Sequence, residues 1–140
     1  MLAHKASSEG HVFAEQLIGN KPEVNYQCIP AVVYTEPEVA WVGPSERELE
    51  TKKIAYKKGI FPFSANARGK TTGDTIGSIK FLSDKDNDKV LAVHIIGAHA
   101  GEFIGEAVAA IVAGLTAVVI ALFCHAHPTL SESMKEAASL

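Results

Sequence analysis

From Ala107 to Cys124 the chain carries no charged side chain. An apolar run of about 18 residues reaches the lower limit of a membrane span, so a fold for this sequence must either cross a bilayer or cover that run. Gly114-Leu115-Thr116 decides against crossing. Glycine is the usual residue just past a helix end, and threonine is a good cap for a new one. The run therefore reads as two helices meeting at a break, and no aromatic or basic belt flanks it. Apolar positions Ile104, Val108, Ile111 and Leu115 fall on one face of the first helix. The second, Ala117 to Cys124, is apolar on every side, which one core cannot bury completely.

The remainder of the 140 residues is ordinary globular chemistry, with 47% apolar and 21% charged side chains and a net charge of −3. That balance provides no basic patch for nucleic acid and no polybasic segment for anionic lipid. Cys28 and Cys124 lie far apart, in neither redox nor zinc spacing, and are expected to be reduced thiols of a cytoplasmic protein. The N-terminus has none of the charged-then-apolar pattern of a signal peptide.

In chain order, Met1–Ile18 predicts a helix stopped by Gly19, and Tyr26–Thr35 a strand that Pro30 demotes at one end. Glu38–Gly43 predicts a strand, and Pro44-Ser45-Glu46 opens a short helix with acids in its first turn. Ile54–Phe63 predicts another strand and Ser64–Asp74 a connector. Thr75–Ser83 and Val90–Gly97 predict a hairpin around Asp84-Lys85-Asp86-Asn87-Asp88-Lys89. That turn lacks the glycine and glutamate of a calcium loop, so no metal is expected there. The class expected is α+β, an antiparallel sheet with helices from both chain ends packed on it. Residues 1–19 form a leading helix and 20–140 the domain proper.

The polar sequel to the apolar run is His125-Ala126-His127-Pro128-Thr129-Leu130-Ser131-Glu132. Pro128 suits the first position of a helix, which would put His127 at the helix mouth and Glu132 one turn in. An imidazole beside a carboxylate can take up a proton and return it. A His–Glu pair at a helix start is more commonly capping than catalysis, so this motif alone decides nothing.

Four segments in order carry more weight: Tyr34-Thr35-Glu36-Pro37-Glu38-Val39-Ala40-Trp41-Val42-Gly43, Phe61-Pro62-Phe63-Ser64-Ala65-Asn66-Ala67-Arg68, His94-Ile95-Ile96-Gly97, and Cys124 through Glu132. Together they resemble the C-terminal interface domain of dihydrolipoamide dehydrogenases, flavin-dependent enzymes of the pyridine nucleotide-disulfide oxidoreductase family. The opening Met1-Leu2-Ala3-His4-Lys5-Ala6 resembles the segment that leads out of the family's nucleotide-binding regions. The resemblance implies a homodimer in which His127 is the acid/base at the partner subunit's redox disulfide and Glu132 orients it. It implies a flanking, structural or flavin-side role for His125. Family members bind FAD and NAD, but this chain has no GxGxxG after a strand and no closely spaced cysteine pair. No cofactor and no dehydrogenase activity are therefore expected of the chain alone.

Against the family pattern, Val118 and Val119 stand where acids are expected, Leu122 where a base is expected, and Phe123 and Val112 where polar residues are common. Exposed together, they would form an interface or an aggregation hazard. Burying five such side chains yields on the order of 10 kcal/mol before association costs. Val112, Leu115, Val118, Val119, Leu122 and Phe123 are thus expected to form a second contact that builds a larger assembly, with itself or another chain. Two origins stay open: a surface recast by design, or a natural variant's core or partner site. The competing function is a detached enzyme part that supplies His127 and Glu132 to a flavin-bearing partner.

Overall fold

A computed structural model of the chain describes residues 2–140. Its centre is a five-stranded antiparallel sheet: β1 (Ala31–Val33), β2 (Glu38–Val42), β3 (Tyr56–Pro62), β4 (Ser78–Asp84) and β5 (Val90–Gly97), in spatial order β1-β2-β5-β4-β3. Strand alternation sorts the side chains onto two faces. Ala40 pairs with Ile95, Ile95 with Ile79 and Ile79 with Phe61, while Val42, Val93, Phe81 and Gly59 form the next row. These rows floor the main core, over which lie α4 (Ala100–Val112) and α6 (Glu132–Ala138). α4 crosses β2 and β5, α6 crosses β3 and β4, and α5 (Ala117–Leu122) packs against α6.

On the opposite face α2 (Glu46–Thr51) covers one end, with Leu49 against Leu82 and Ala92. Ser45 and Glu48 cap it reciprocally, satisfying two otherwise orphaned N–H groups. The row Trp41–His94–Lys80–Ile60 lies on this face beyond α2. Burial pushes the His94 imidazole below its ordinary value, and its Nδ1 has no hydrogen-bond partner.

α1 (Ala3–Leu17) is the predicted leading helix, Met1 lying outside the described residues. It buries none of its own residues. Its polar contacts run to the segment beneath it, through His4 to the Pro30 carbonyl and Glu9 to the Tyr26 hydroxyl. No described helix is long and apolar enough to cross a membrane.

Three local expectations need correction. The strand predicted over Tyr26–Thr35 shrinks to Ala31–Val33, because Asn25 caps a single 3-10 turn at Tyr26–Cys28 before it. The predicted connector at Ser64–Asp74 contains α3 (Ala67–Thr72), capped by Asn66 and ended by left-handed Gly73 at φ 85°. Pro128 does not start a helix. The His127–Pro128 peptide is cis, residues 127–131 form a turn, and α6 begins only at Glu132.

Candidate functional site

The break at Gly114-Leu115-Thr116 forms as expected. Gly114 adopts φ 65°, and the Thr116 hydroxyl accepts the Val119 N–H at 3.3 Å. α5 is also fixed to the hairpin turn. The Ala117 N–H donates to the Asp88 carbonyl at 2.9 Å and the Val118 N–H to the Asp88 carboxylate at 3.0 Å. Lys57, which pairs with Asp88, and then the Val118 N–H hold that carboxyl below its ordinary value. With one side of α5 held down, Ala117 and Ile120 are buried and the next residues turn outward. Val112, Val118, Leu122 and Phe123 are 66%, 59%, 79% and 42% exposed. Leu115 and Val119, expected on the same surface, are half-buried, and Leu115 packs against the main core.

The loop from Phe123 to Ser131 then leads to the polar pair. His127 Nδ1 lies 2.9 Å from Glu132 Oε1 and 3.2 Å from Oε2. An ionised carboxylate only accepts, so in this pair Nδ1 carries the proton and Nε2 is the nitrogen left for exchange. The imidazole is 69% exposed while the carboxylate is largely enclosed. Glu132 Oε2 also accepts the Thr129 N–H at 2.9 Å. That backbone donor first, and His127 second, hold the Glu132 carboxyl below its ordinary value. The carboxylate thus stays ionised and fixed, and the imidazole stands largely exposed.

Three supports of this arrangement were missed in the sequence. Asn66 Nδ2 donates to the Thr129 carbonyl at 3.0 Å and to Ser133 Oγ at 2.9 Å. The Thr129 hydroxyl donates to the Ala126 carbonyl at 2.7 Å, closing the turn. His125 Nε2 lies 3.0 Å from Glu106 Oε1 on α4. Asn66 stood in the sequence only as one residue of the Phe61–Arg68 segment, and nothing local marks Glu106 as the partner of a histidine nineteen positions on.

A dinucleotide site does not fit these residues. Such a site needs a parallel strand–glycine turn–helix unit, and every strand pair in the described sheet is antiparallel. Nor is there a redox couple among the described residues, for Cys28 is a buried and Cys124 an exposed free thiol. Burial pushes the Cys28 thiol up. His127 Nε2 is the ring nitrogen that Glu132 leaves unengaged.

The sequence profile of the pyridine nucleotide-disulphide oxidoreductase dimerisation domain matches residues 29–138. The mitochondrial dihydrolipoyl dehydrogenase of Sus scrofa is 53% identical over 98% of this chain, and that of Dictyostelium discoideum 54% over 99%. The aligned region is 27% of the first relative and 28% of the second, so the chain spans about a quarter of their length. Among solved structures, LpdA from Mycobacterium tuberculosis superimposes with TM-score 0.93 at 25% identity, covering 99% of this chain and 30% of that one. The flavoprotein disulfide reductase RclA from Escherichia coli superimposes with TM-score 0.90 over 99% of this chain and 32% of its own; at 20% identity it speaks for the fold alone.

Proposed function

The chain belongs to the pyridine nucleotide-disulphide oxidoreductase dimerisation-domain family, and from that premise we propose that it acts as a homodimerising module whose second, apolar surface builds a larger symmetric assembly. The observation that carries this is the outward face of α5. Two of its six residues are buried, and Val118 and Leu122 stand in solvent beside Phe123, with Val112 also exposed. Leu115 and Val119 are half-buried and are not its outer contact. Val118, Leu122 and Phe123, at about 1.5–3 kcal/mol each, offer on the order of 7 kcal/mol, part of which the freedom lost on association consumes; Val112 lines a separate groove with His11 and Cys28. A closed assembly of dimers requires this second contact to be distinct from the family's dimer contact. Residues 1–19 are then the leading segment and 20–140 the associating domain.

The test is solution mass by light scattering. The native sequence should give a discrete particle larger than a dimer, and Val118→Glu with Leu122→Lys should give a dimer. An unchanged mass would remove α5 from any interface.

A second function is favoured by the His127–Glu132 pair: a detached part of a dihydrolipoyl dehydrogenase-like enzyme that supplies acid/base chemistry to a flavin-bearing partner. FAD, NAD and the redox disulfide would then belong to that partner, and the chain alone would turn nothing over. Mixing it with a flavin-bearing domain should restore dihydrolipoamide oxidation, and His127→Ala should abolish the gain. Free Cys28 and Cys124 suit a reducing compartment, the cytoplasm or, as in the relatives so named, the mitochondrion.

A further inference from the structure

We propose that Glu106 and His125 are positioning residues for His127, forming a tether from α4 to the loop that presents the acid/base imidazole. This rests on the acid/base role of His127 given above. His125 is the best-enclosed side chain of the loop pairs, 8% exposed, whereas His127 is 69% exposed. Its two ring nitrogens both meet acceptors: Nε2 faces Glu106 Oε1 at 3.0 Å and Nδ1 faces the Phe123 carbonyl at 3.2 Å. A carbonyl and a carboxylate only accept. The nearer of the two, Nε2 to the Glu106 carboxylate, is the bond that ties the ring to α4. A charge-assisted bond of that kind is stronger and more directional than a neutral one.

The place of the tether explains what it does. Downstream of His127 the loop is held at Thr129 by Asn66, the cap of α3, and by Glu132, which opens α6 on the β3–β4 side. Upstream of His127, the loop is tied by His125 to α4, which packs at the β2–β5 side. His127 therefore hangs between two anchors set on different helices. With the upstream anchor cut, Ala126 and His127 can swing about Thr129, and the His127–Glu132 bond no longer has one geometry.

The test reads the tautomers of the histidines by nitrogen-15 NMR on the 140-residue chain. In the native protein His127 should show the single-tautomer signature of a protonated Nδ1. Glu106→Ala should lose that signature, giving averaged nitrogen shifts at His127 while the backbone amide spectrum remains native. Glu106→Gln should restore it, since the glutamine amide can still bond to His125 Nε2 and keep the tether. Should Glu106→Ala fail to fold, His125→Gln, also expected to lose the signature, replaces it. Native His127 signals in either folded, untethered variant would overturn the proposal. Failure of the chain to assist a flavin-bearing domain, with these NMR results intact, would instead count against the acid/base role and leave the positioning standing.

Discussion

The side-chain amide of Asn66 donates to the backbone carbonyl of Thr129 at 3.0 Å, joining the turn before α6 to the start of α3. Its oxygen accepts the Gly69 N–H at 2.9 Å, so one buried side chain caps α3 and holds the His127 loop together. Asn66→Ala removes the cap and leaves the Thr129 carbonyl and Ser133 hydroxyl without their buried partner. The cost should be about 2–4 kcal/mol, from a lost cap and unsatisfied buried groups. A urea midpoint shows the loss, and amide exchange should accelerate across Glu132–Ala138. A midpoint within error of the native one would mean that Asn66 merely fills space.

That residue also marks the limit of what sequence could reveal. The strands, the hairpin and the restart at Thr116 were legible because each is written locally, in alternation or in a glycine followed by a cap. α3 was not, because Ala-Arg-Gly-Lys-Thr-Thr has weak helix propensity and depends on Asn66, whose other partners lie more than sixty residues away. The His127–Glu132 pair was legible as a pair. Its geometry was not, since the turn at 127–131 replaced the helix expected at Pro128. The apolar composition around α5 was legible, but not which side chains face out: of the six expected together, Leu115 and Val119 are half-buried. Which side of α5 faces inward is set by Asp88, on a turn thirty positions earlier.

Glu46 gives the fold an acid-sensitive contact. It accepts from Lys80 at 2.8 Å and Lys58 at 3.0 Å, and these lysines, Lys80 foremost, lower its carboxyl to about 2 from an ordinary 4.5. A depressed folded value means that the contribution is complete above 4.5 and is lost as pH falls from there towards 2. Screening at the surface limits it to about 1 kcal/mol. Unfolding free energies measured at about pH 3 and about pH 6 should converge in Glu46→Gln relative to the native chain. An unaltered pH slope would show that the three charges do not cooperate.

Tyr56 provides the alkaline counterpart. Burial first, and the Glu46 carboxylate next, push its phenol up to about 12 from an ordinary 10. A raised folded value contributes stability below 10 that is lost as pH rises from there to about 12. Ultraviolet titration should find two late tyrosines, Tyr56 and Tyr26, whose phenol the bond to Glu9 pushes up, and Glu46→Gln should bring Tyr56 earlier by removing the second cause. A Tyr56 unaffected by Glu46→Gln would leave burial and the neighbouring Glu50 carboxylate as the explanation.

Gly59 controls whether α6, and with it Glu132, lies where the pair needs it. A Cβ at this position would stand 1.8 Å from the Ala137 carbonyl oxygen and 3.2 Å from Leu140 Cβ. The first obstacle is backbone, so the strand or the helix must shift. Overpacking of this kind costs about 1–3 kcal/mol. Gly105, in the exposed interior of α4, is the control: its Cβ would meet nothing within 4 Å, and alanine there should stabilise by about 1 kcal/mol through helix propensity. Denaturant midpoints should therefore move in opposite directions for Gly59→Ala and Gly105→Ala. Because α6 begins at Glu132, Gly59→Ala should also disturb the His127 nitrogen signals from the far end of the helix, whereas Gly105→Ala should leave them native. Unchanged His127 signals in a destabilised Gly59→Ala would mean that α6 pivots about its first turn, with Asn66 and Ser133 holding that turn against the sheet.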